Sequence, residues 1–355
     1  MTRFTLTRRI LLVGGAAAFA TPDVWSRPAR AAGQVVVRNP GGAYSDAQKQ
    51  YIYDPFTKET GIEVVIVAST LTKMLAMAKS GNAELDVADA GFDGLTTLDR
   101  TGALTPIDYA AWKYTNSQDI PEEYVTPTTA GLCLYATVLG YNKETYPEGK
   151  QPKSWAEFWD AQKFPGARML ADMASGSPNL EFALIADGVP MDKVFPIDID
   201  RAFKSLSRIK PYIKKFWDTG ALSAQMLADR DVVLGSIWNG RLQAIADKGA
   251  PVAIEWNEHM LALQGYGIFK DAKNMKEAQL LVDYAMQPKA QLGLPKELAY
   301  GTTNRTTFDM LPAERVVAML PGGPEQLKRS FLQDAAWWDQ NRAKVNSIWS
   351  KWILS

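Results

Sequence analysis

The chain has 355 residues, 46% of them hydrophobic, with 39 basic and 39 acidic side chains. That length suits two domains or one large one with an ample core, and the balanced charge leaves no electrostatic footprint for nucleic acid or an anionic membrane. One cysteine and one histidine exclude an intramolecular disulfide and leave a zinc site or a Ser-His-Asp triad a single imidazole, His259, to build on.

Residues 1–31 read as an export signal and not as fold. Arg8 and Arg9 precede an apolar stretch over residues 10–20 that is too short to anchor in a bilayer, and Ala29-Arg30-Ala31 offers small residues for cleavage. The arginine pair points to twin-arginine export, with a Sec signal as the alternative; both lead to the periplasm or the cell exterior. The signal removes Arg3, Arg8, Arg9, Arg27 and Arg30 against Asp23 alone, so the mature chain is mildly acidic. No cysteine follows the cleavage site to carry a lipid, and no membrane-spanning run follows the signal.

The mature chain opens on a β-branched run at 35–37, a buried strand. Gly41-Gly42 then let the backbone turn tightly and approach a ligand. Ser45 with Gln48 forms a capping-box pattern for a helix start, whose free N–H groups would face the space above the strand ends. Pro55 is expected to break that helix and restart it at N1, and Gly61 stops it before a second strand. A helix over 71–79 ends at Gly81. A strand over 85–90 leads to a turn at 91–94 and a helix ending at Gly102. Residues 132–141 form a long β-rich run, with Cys133 as a small buried apolar residue. Ser154 and Glu157 cap a short helix. A strand over 168–172 leads into Ser175-Gly176-Ser177, after which Pro178 opens a helix over 179–187. A strand over 232–238 ends at Asn239-Gly240, and 261–269 is a second long strand. A helix over 278–286 is stopped by Pro288. Residues 324–352 read as helical, with Trp338, Arg342, Val345, Trp349 and Trp352 at packing spacing.

Strands alternating with helices, and two long strands able to pass between halves, imply an α/β protein of two lobes with a cleft between them. The crossings are expected near residues 142 and 264, with a third passage near 308. Lobe 1 would comprise 32–142 plus 264–308, and lobe 2 would comprise 143–263 plus 309–355.

Five segments carry a family resemblance: Phe56-Thr57-Lys58-Glu59-Thr60-Gly61-Ile62-Glu63-Val64, Thr101-Gly102-Ala103-Leu104-Thr105-Pro106-Ile107-Asp108, Ser154-Trp155-Ala156-Glu157-Phe158-Trp159, Leu234-Gly235-Ser236-Ile237-Trp238-Asn239-Gly240, and Ala272-Lys273-Asn274 after a strand. Together they resemble the periplasmic solute-binding proteins of ABC importers, specifically the spermidine/putrescine-binding branch, over nearly the whole mature chain. The resemblance implies a type II periplasmic binding protein fold: two α/β lobes, a hinge, and ligand trapped on lobe closure. It implies binding without reaction, no cofactor or metal, and a monomer that delivers a small molecule to an inner-membrane ABC permease. Neither nucleic acid nor membrane insertion is expected.

Carried over by resemblance, the ligand positions fall on Ala43 and Tyr44 in the first loop, Gly91, Phe92 and Asp93 in the second, and Trp238 at the Trp-Asn-Gly turn. The family's gripping aspartate falls on Gln264, its later cleft tyrosine on Tyr300, and a polar position near the C-terminus on Asp339. The loop that is acidic in polyamine binders carries Ser175 and Ser177 here. Packing under its own loop is the alternative for Tyr44, helix capping for Asp93, and a solvated helix face for Asp339. A polyamine requires carboxylates at its ends and aromatic faces along its methylenes. Gln264 and the serines depart from that pattern. Asp93 and Asp339 offer an acidic pole, while Ser175, Ser177 and Arg241 offer a donor-rich one. These two poles fit a small zwitterion such as an ω-amino acid better than a polyamine. A receptor for an organic anion, phosphonate or metal chelate is the second reading, although no Tyr-Tyr pair offers itself to a ferric ion. A periplasmic hydrolase is the third. It needs a nucleophile with a base or paired carboxylates; there is no Gly-x-Ser-x-Gly elbow, and Glu255 and His259, four apart, read as surface residues.

Overall fold

The computed structural model describes residues 33–355, so the export-signal reading of 1–31 lies outside the described residues. Its strands are β1 (Gly33–Arg38), β2 (Ile62–Val67), β3 (Val87–Gly91), β4 (Leu104–Thr105), β5 (Thr129–Asn142), β6 (Arg168–Ala171), β7 (Ile213–Trp217), β8 (Leu234–Trp238), β9 (Val252–Phe269), β10 (Gly301–Thr302) and β11 (Ser330–Leu332). All join one sheet whose main path runs β2-β1-β3-β9-β5-β8-β6-β7. Two parallel wings, β2-β1-β3 and β8-β6-β7, flank a long antiparallel pair, β9 and β5. Buried β-branched and aliphatic residues such as Val35, Val37, Val87 and Leu234 suit strands covered on both faces.

Within the sheet, the wings are joined only through the central pair. β3 ends at Gly91 opposite Gln264, and β11 reaches only Leu261 on the same edge of β9. On β5, β10 reaches Leu134 while β8 begins at Thr137. Across Tyr135–Ala136 and Leu261–Ala262 the sheet continues through β5 and β9 alone. Gly131 faces Gly265 in this pair. A Cβ at Gly265 would lie 2.3 Å from the Ala130 carbonyl oxygen and 2.9 Å from the Phe92 ring, so only glycine admits that close approach.

Helices cover both faces. The C-terminal helix Ala335–Trp352 buries Trp338, Val345 and Trp349, with Trp349 edge-on to Phe216 at 5.2 Å. The expected tryptophan packing is present in this helix.

Several local expectations need correction. The first helix starts at Gly42, behind Gly41 in a left-handed conformation (φ 82°), and Ser45 makes no cap. Gln48 instead turns inward to Asn39 and Tyr53. The helix does not break ahead of Pro55 but passes through a π-helical segment, Lys49–Tyr53, into Asp54–Thr60; the wider turn relieves the clash between the proline ring and the preceding turn. Residues 91–94 form no turn, because the helix Phe92–Arg100 begins directly after β3. Ser175 belongs to a 3₁₀ turn, and the next helix, Leu180–Ala186, starts only after Asn179, which sits in left-handed conformation. β9 extends nine residues further upstream than its apolar part suggested. Residues 324–352 are interrupted by β11, and the last helix restarts at Asp334, whose carboxylate accepts from the Trp337 N–H.

Candidate ligand-binding site

The last residues of β1, β3, β6, β7 and β8 are Arg38, Gly91, Ala171, Trp217 and Trp238. All five line one cavity of about 420 Å³. This is where parallel α/β sheets place their ligands, outside the carboxyl ends of the strands. The two wings point these ends at each other, so the cavity has walls from both. Its floor is the central pair. Tyr135 and Thr137 of β5, with Met260, Ala262 and Gln264 of β9, present every second side chain to it. The intervening Ala136, Val138, Leu261 and Leu263 enter the core.

The aromatic wall is pre-set. Trp238 meets Trp217 edge to face at 5.3 Å and Tyr135 at 6.4 Å. Trp217 is fully buried, and its indole N–H donates to the Ser236 carbonyl. Asn179, also in the lining, accepts from the Ala171 N–H and the Ser236 hydroxyl, and so ties β6 to β8.

Two guanidinium groups line the cavity from opposite wings. Arg38 is held by the carbonyls of Ser69 (2.9 Å) and Asp89 (2.5 Å). Arg342, on the C-terminal helix, donates to the Gly176 carbonyl and lies 3.1 Å from the Asp93 carboxylate. Gln264 donates from its amide nitrogen to Asp89 at 2.7 Å. Asp89 is fully buried beneath the floor, where Tyr44 and Asn39 also donate to it. Burial pushes its carboxyl up to about 6, against the hydrogen bond from Gln264 and the charge of Arg38. The carboxylate that Gln264 itself lacks is therefore present one strand away, and Gln264 bridges it to the cavity.

Of the residues singled out in the sequence, the structure brings Gly91, Asp93, Ser175, Ser177, Trp238 and Gln264 into this cavity. Ser175 donates to the Asp172 carbonyl, and Ser177 accepts from Gln333 at 3.3 Å. Phe92 lines a neighbouring cavity. Ala43 is exposed, and Tyr44 turns its hydroxyl under the loop to Asp89. Tyr300 lies behind the wall, with its ring 6.1 Å from Tyr135 and 6.4 Å from Tyr44. Arg241 is exposed and is not in the lining of this cavity. Asp339 is not on a solvated face: Thr97 and Arg100 of the opposite wing donate to it at 2.7 and 2.6 Å. The hydrogen bond from Arg100 is the main cause holding its carboxyl below the usual range. Asp93, Thr97 and Arg100 thus face Asp339 and Arg342 across the cleft mouth.

Arg38, Tyr135, Thr137, Asn179, Trp217, Gln333 and Arg342 were not anticipated. For Arg38 and Trp217 the usable signal was position, at the last residue of a strand. For Tyr135 and Thr137 it was period-two alternation inside a long strand. The hydrolase pair does not form: Glu255 accepts from Gln151, while His259 is buried with its Nδ1 2.6 Å from the Trp256 carbonyl. Burial pushes the His259 imidazole down to about 4.

Two parallel wings joined by two central strands, with strand ends from both wings around one ligand-sized cavity, define a cleft-type binding protein. Residues 51–315 match the family described as bacterial extracellular solute-binding protein. The chain is 34% identical to an ABC transporter substrate-binding protein from Bradyrhizobium japonicum of known structure, over 90% of this chain and 99% of that one, with a TM-score of 0.84. It is 30% identical over 322 residues to the gamma-aminobutyric acid-binding protein of Pseudomonas aeruginosa, covering 88% of each. It is 24% identical over 314 residues to the spermidine/putrescine-binding periplasmic protein of Escherichia coli, covering 82% of this chain and 87% of that one. The chain belongs to the bacterial extracellular solute-binding protein family and is the substrate-binding protein of an ABC transporter. No helix among the described residues is long and apolar enough to cross a membrane.

Proposed function

We propose that the protein captures a small zwitterion, an ω-amino acid of the 4-aminobutyrate type, in the periplasm and presents it unchanged to an inner-membrane permease. The observation that carries this reading is the Asp93–Arg342 pair at 3.1 Å, which spans the cleft inside the cavity. A ligand bearing both charges can replace each partner with its own group: ammonium to Asp93, carboxylate to Arg342 and Arg38. Neither Asp93 nor Arg342 is then left without a counter-charge on closure. A polyamine would leave two guanidinium groups facing its ammonium groups, which is repulsive. The name of the Pseudomonas relative supports the same ligand class. In place of the expected 142, 264 and 308, the lobe boundaries fall within β5 and β9 near Tyr135–Ala136 and Leu261–Ala262 and between Gln326 and Ser330 in this reading, which is supported by β10 and Gly322 packing on Leu134 while β11 pairs with His259–Leu261. The protein works as a cleaved, exported monomer that closes around its ligand. One observation favours a second reading, an organic dianion: the two arginines in the lining outnumber Asp93. Calorimetric titration with 4-aminobutyrate, glutarate and spermidine separates these. Micromolar 4-aminobutyrate with weaker glutarate and no spermidine binding is expected. At about a thousandfold excess over Kd, the ligand should stabilise the fold by roughly 4 kcal/mol. Tight spermidine with no response to the amino acid would overturn the reading, and a chemically altered ligand recovered from the protein would overturn binding without turnover.

A further inference from the structure

Beside the main cavity lies a second, of about 440 Å³, and the two share Asp93, Tyr135, Ala262 and Gln333 as walls. Asp93 comes from the β3 wing and Gln333 from the segment after β11, so the boundary between the chambers is set by groups facing each other across the cleft. The second chamber differs in chemistry. Phe92, Phe195, Leu263 and Leu332 supply apolar walls, Glu123 and Asp334 supply carboxylates, and no lysine or arginine is in its lining. The main cavity holds both guanidinium groups.

Resting on the zwitterion reading, we infer that the cargo extends into this second chamber: it is an amino acid bearing an apolar substituent on its ammonium nitrogen. The placement follows from Asp93. Asp93 lines both chambers, so a nitrogen paired with its carboxylate is placed beside the boundary between them. With the carboxylate end directed to Arg38 and Arg342, the far side of that nitrogen is the part of the ligand facing the second chamber. A primary ammonium leaves the chamber to water. A secondary ammonium keeps its charge for Asp93 and sends a chain between Phe92 and Phe195, where each buried methylene is favourable. The Glu123 and Asp334 carboxylates repel an anionic substituent.

The test titrates the purified protein with 4-aminobutyrate, 4-(butylamino)butyrate and the analogue whose N-substituent ends in a carboxylate. The N-butyl compound is expected to bind at least tenfold more tightly than 4-aminobutyrate, and the acidic analogue more weakly than either. Ala336→Phe, at an exposed position in the chamber lining, should abolish the N-butyl gain while leaving 4-aminobutyrate unchanged, and Phe195→Ala should reduce that gain. Equal or weaker binding of the N-butyl compound, or a gain that persists in Ala336→Phe, would overturn the inference. If none of the amino acids binds, the reading of the main cavity has failed and the extension falls with it.

Discussion

The floor of the cleft and its mouth are built on opposite principles. The floor is backbone: β5 and β9 pair over their whole central stretch, Gly131 meets Gly265 with no room for a Cβ, and the side chains beneath are fully buried. The mouth is side chain: Asp93, Thr97 and Arg100 of one wing reach Asp339 and Arg342 of the other through hydrogen bonds and ion pairs in which all the charged groups but Asp339 are partly exposed. Close packing tolerates little change, whereas exposed ion pairs contribute little and exchange partners readily. The floor therefore stays fixed beneath the ligand, and the mouth, Asp93 and Arg342 included, is free to break and re-form as ligand enters.

The largest effect should come from breaking the floor. Gly265→Ala forces a Cβ against the Ala130 carbonyl and the Phe92 ring. Overpacking of this kind should cost about 3 kcal/mol, a fall in melting midpoint on the order of 5 °C. An unchanged melt would show that the β5–β9 contact can relax.

A second test reaches two buried titratable groups. Asp89 is raised to about 6 in the folded protein, so it holds its proton more tightly than in the unfolded chain. Its contribution is present at low pH and is lost as pH rises from about 4 to about 6. His259 is lowered to about 4, so its contribution is present above about 6.5 and is lost as pH falls. The two slopes oppose each other in one window, and the native protein should show a weak net dependence from them. Asp89→Asn should expose the histidine slope, with stability falling by about 3 kcal/mol between pH 6.5 and 4. Urea unfolding at several pH values measures this. Parallel curves for the native protein and the variant would contradict the assignment of Asp89.

The smallest effect belongs to the mouth. Asp339→Asn removes the ion pair between the buried Asp339 carboxylate and the largely exposed Arg100 guanidinium. The ligand-free protein should then show a larger radius of gyration in small-angle scattering, with its melting midpoint nearly unchanged. The same widening should appear in the native protein as pH falls below the depressed value of Asp339. A lowered midpoint with an unchanged radius would place Asp339 among the structural residues instead.

The same contrast decides what could be read from the sequence. The β-rich runs at 132–141 and 261–269 announced the floor strands, because buried strands are written in β-branched and aliphatic residues. The Trp238 strand end was legible for the same reason. The first half of β9 was not, since Glu255, Asn257, Glu258 and His259 interrupt the apolar pattern. Their polar groups are matched by partners from distant segments: Gln151 donates to Glu255, Asn257 donates to the Lys153 carbonyl and Trp155 donates to Glu258. β11 was hidden within a helical-looking run, because three residues are too few for periodicity to register. Arg342 was hidden by the tryptophans: it shares their helical spacing, yet it points into the cleft. Tyr44 and Gln264 read as cleft residues in the sequence, whereas the buried Asp89 that both contact is met only when β3 pairs with β1 on one side and β9 on the other.

The central claim is that ligand charges replace the Asp93–Arg342 pair. Calorimetry of 4-aminobutyrate with Asp93→Asn, Arg342→Gln and the double variant tests it most directly. Each single variant should weaken binding by roughly thirtyfold, about 2 kcal/mol, and the melting midpoints of the ligand-free proteins should stay close to native. Native affinity in both single variants would contradict it.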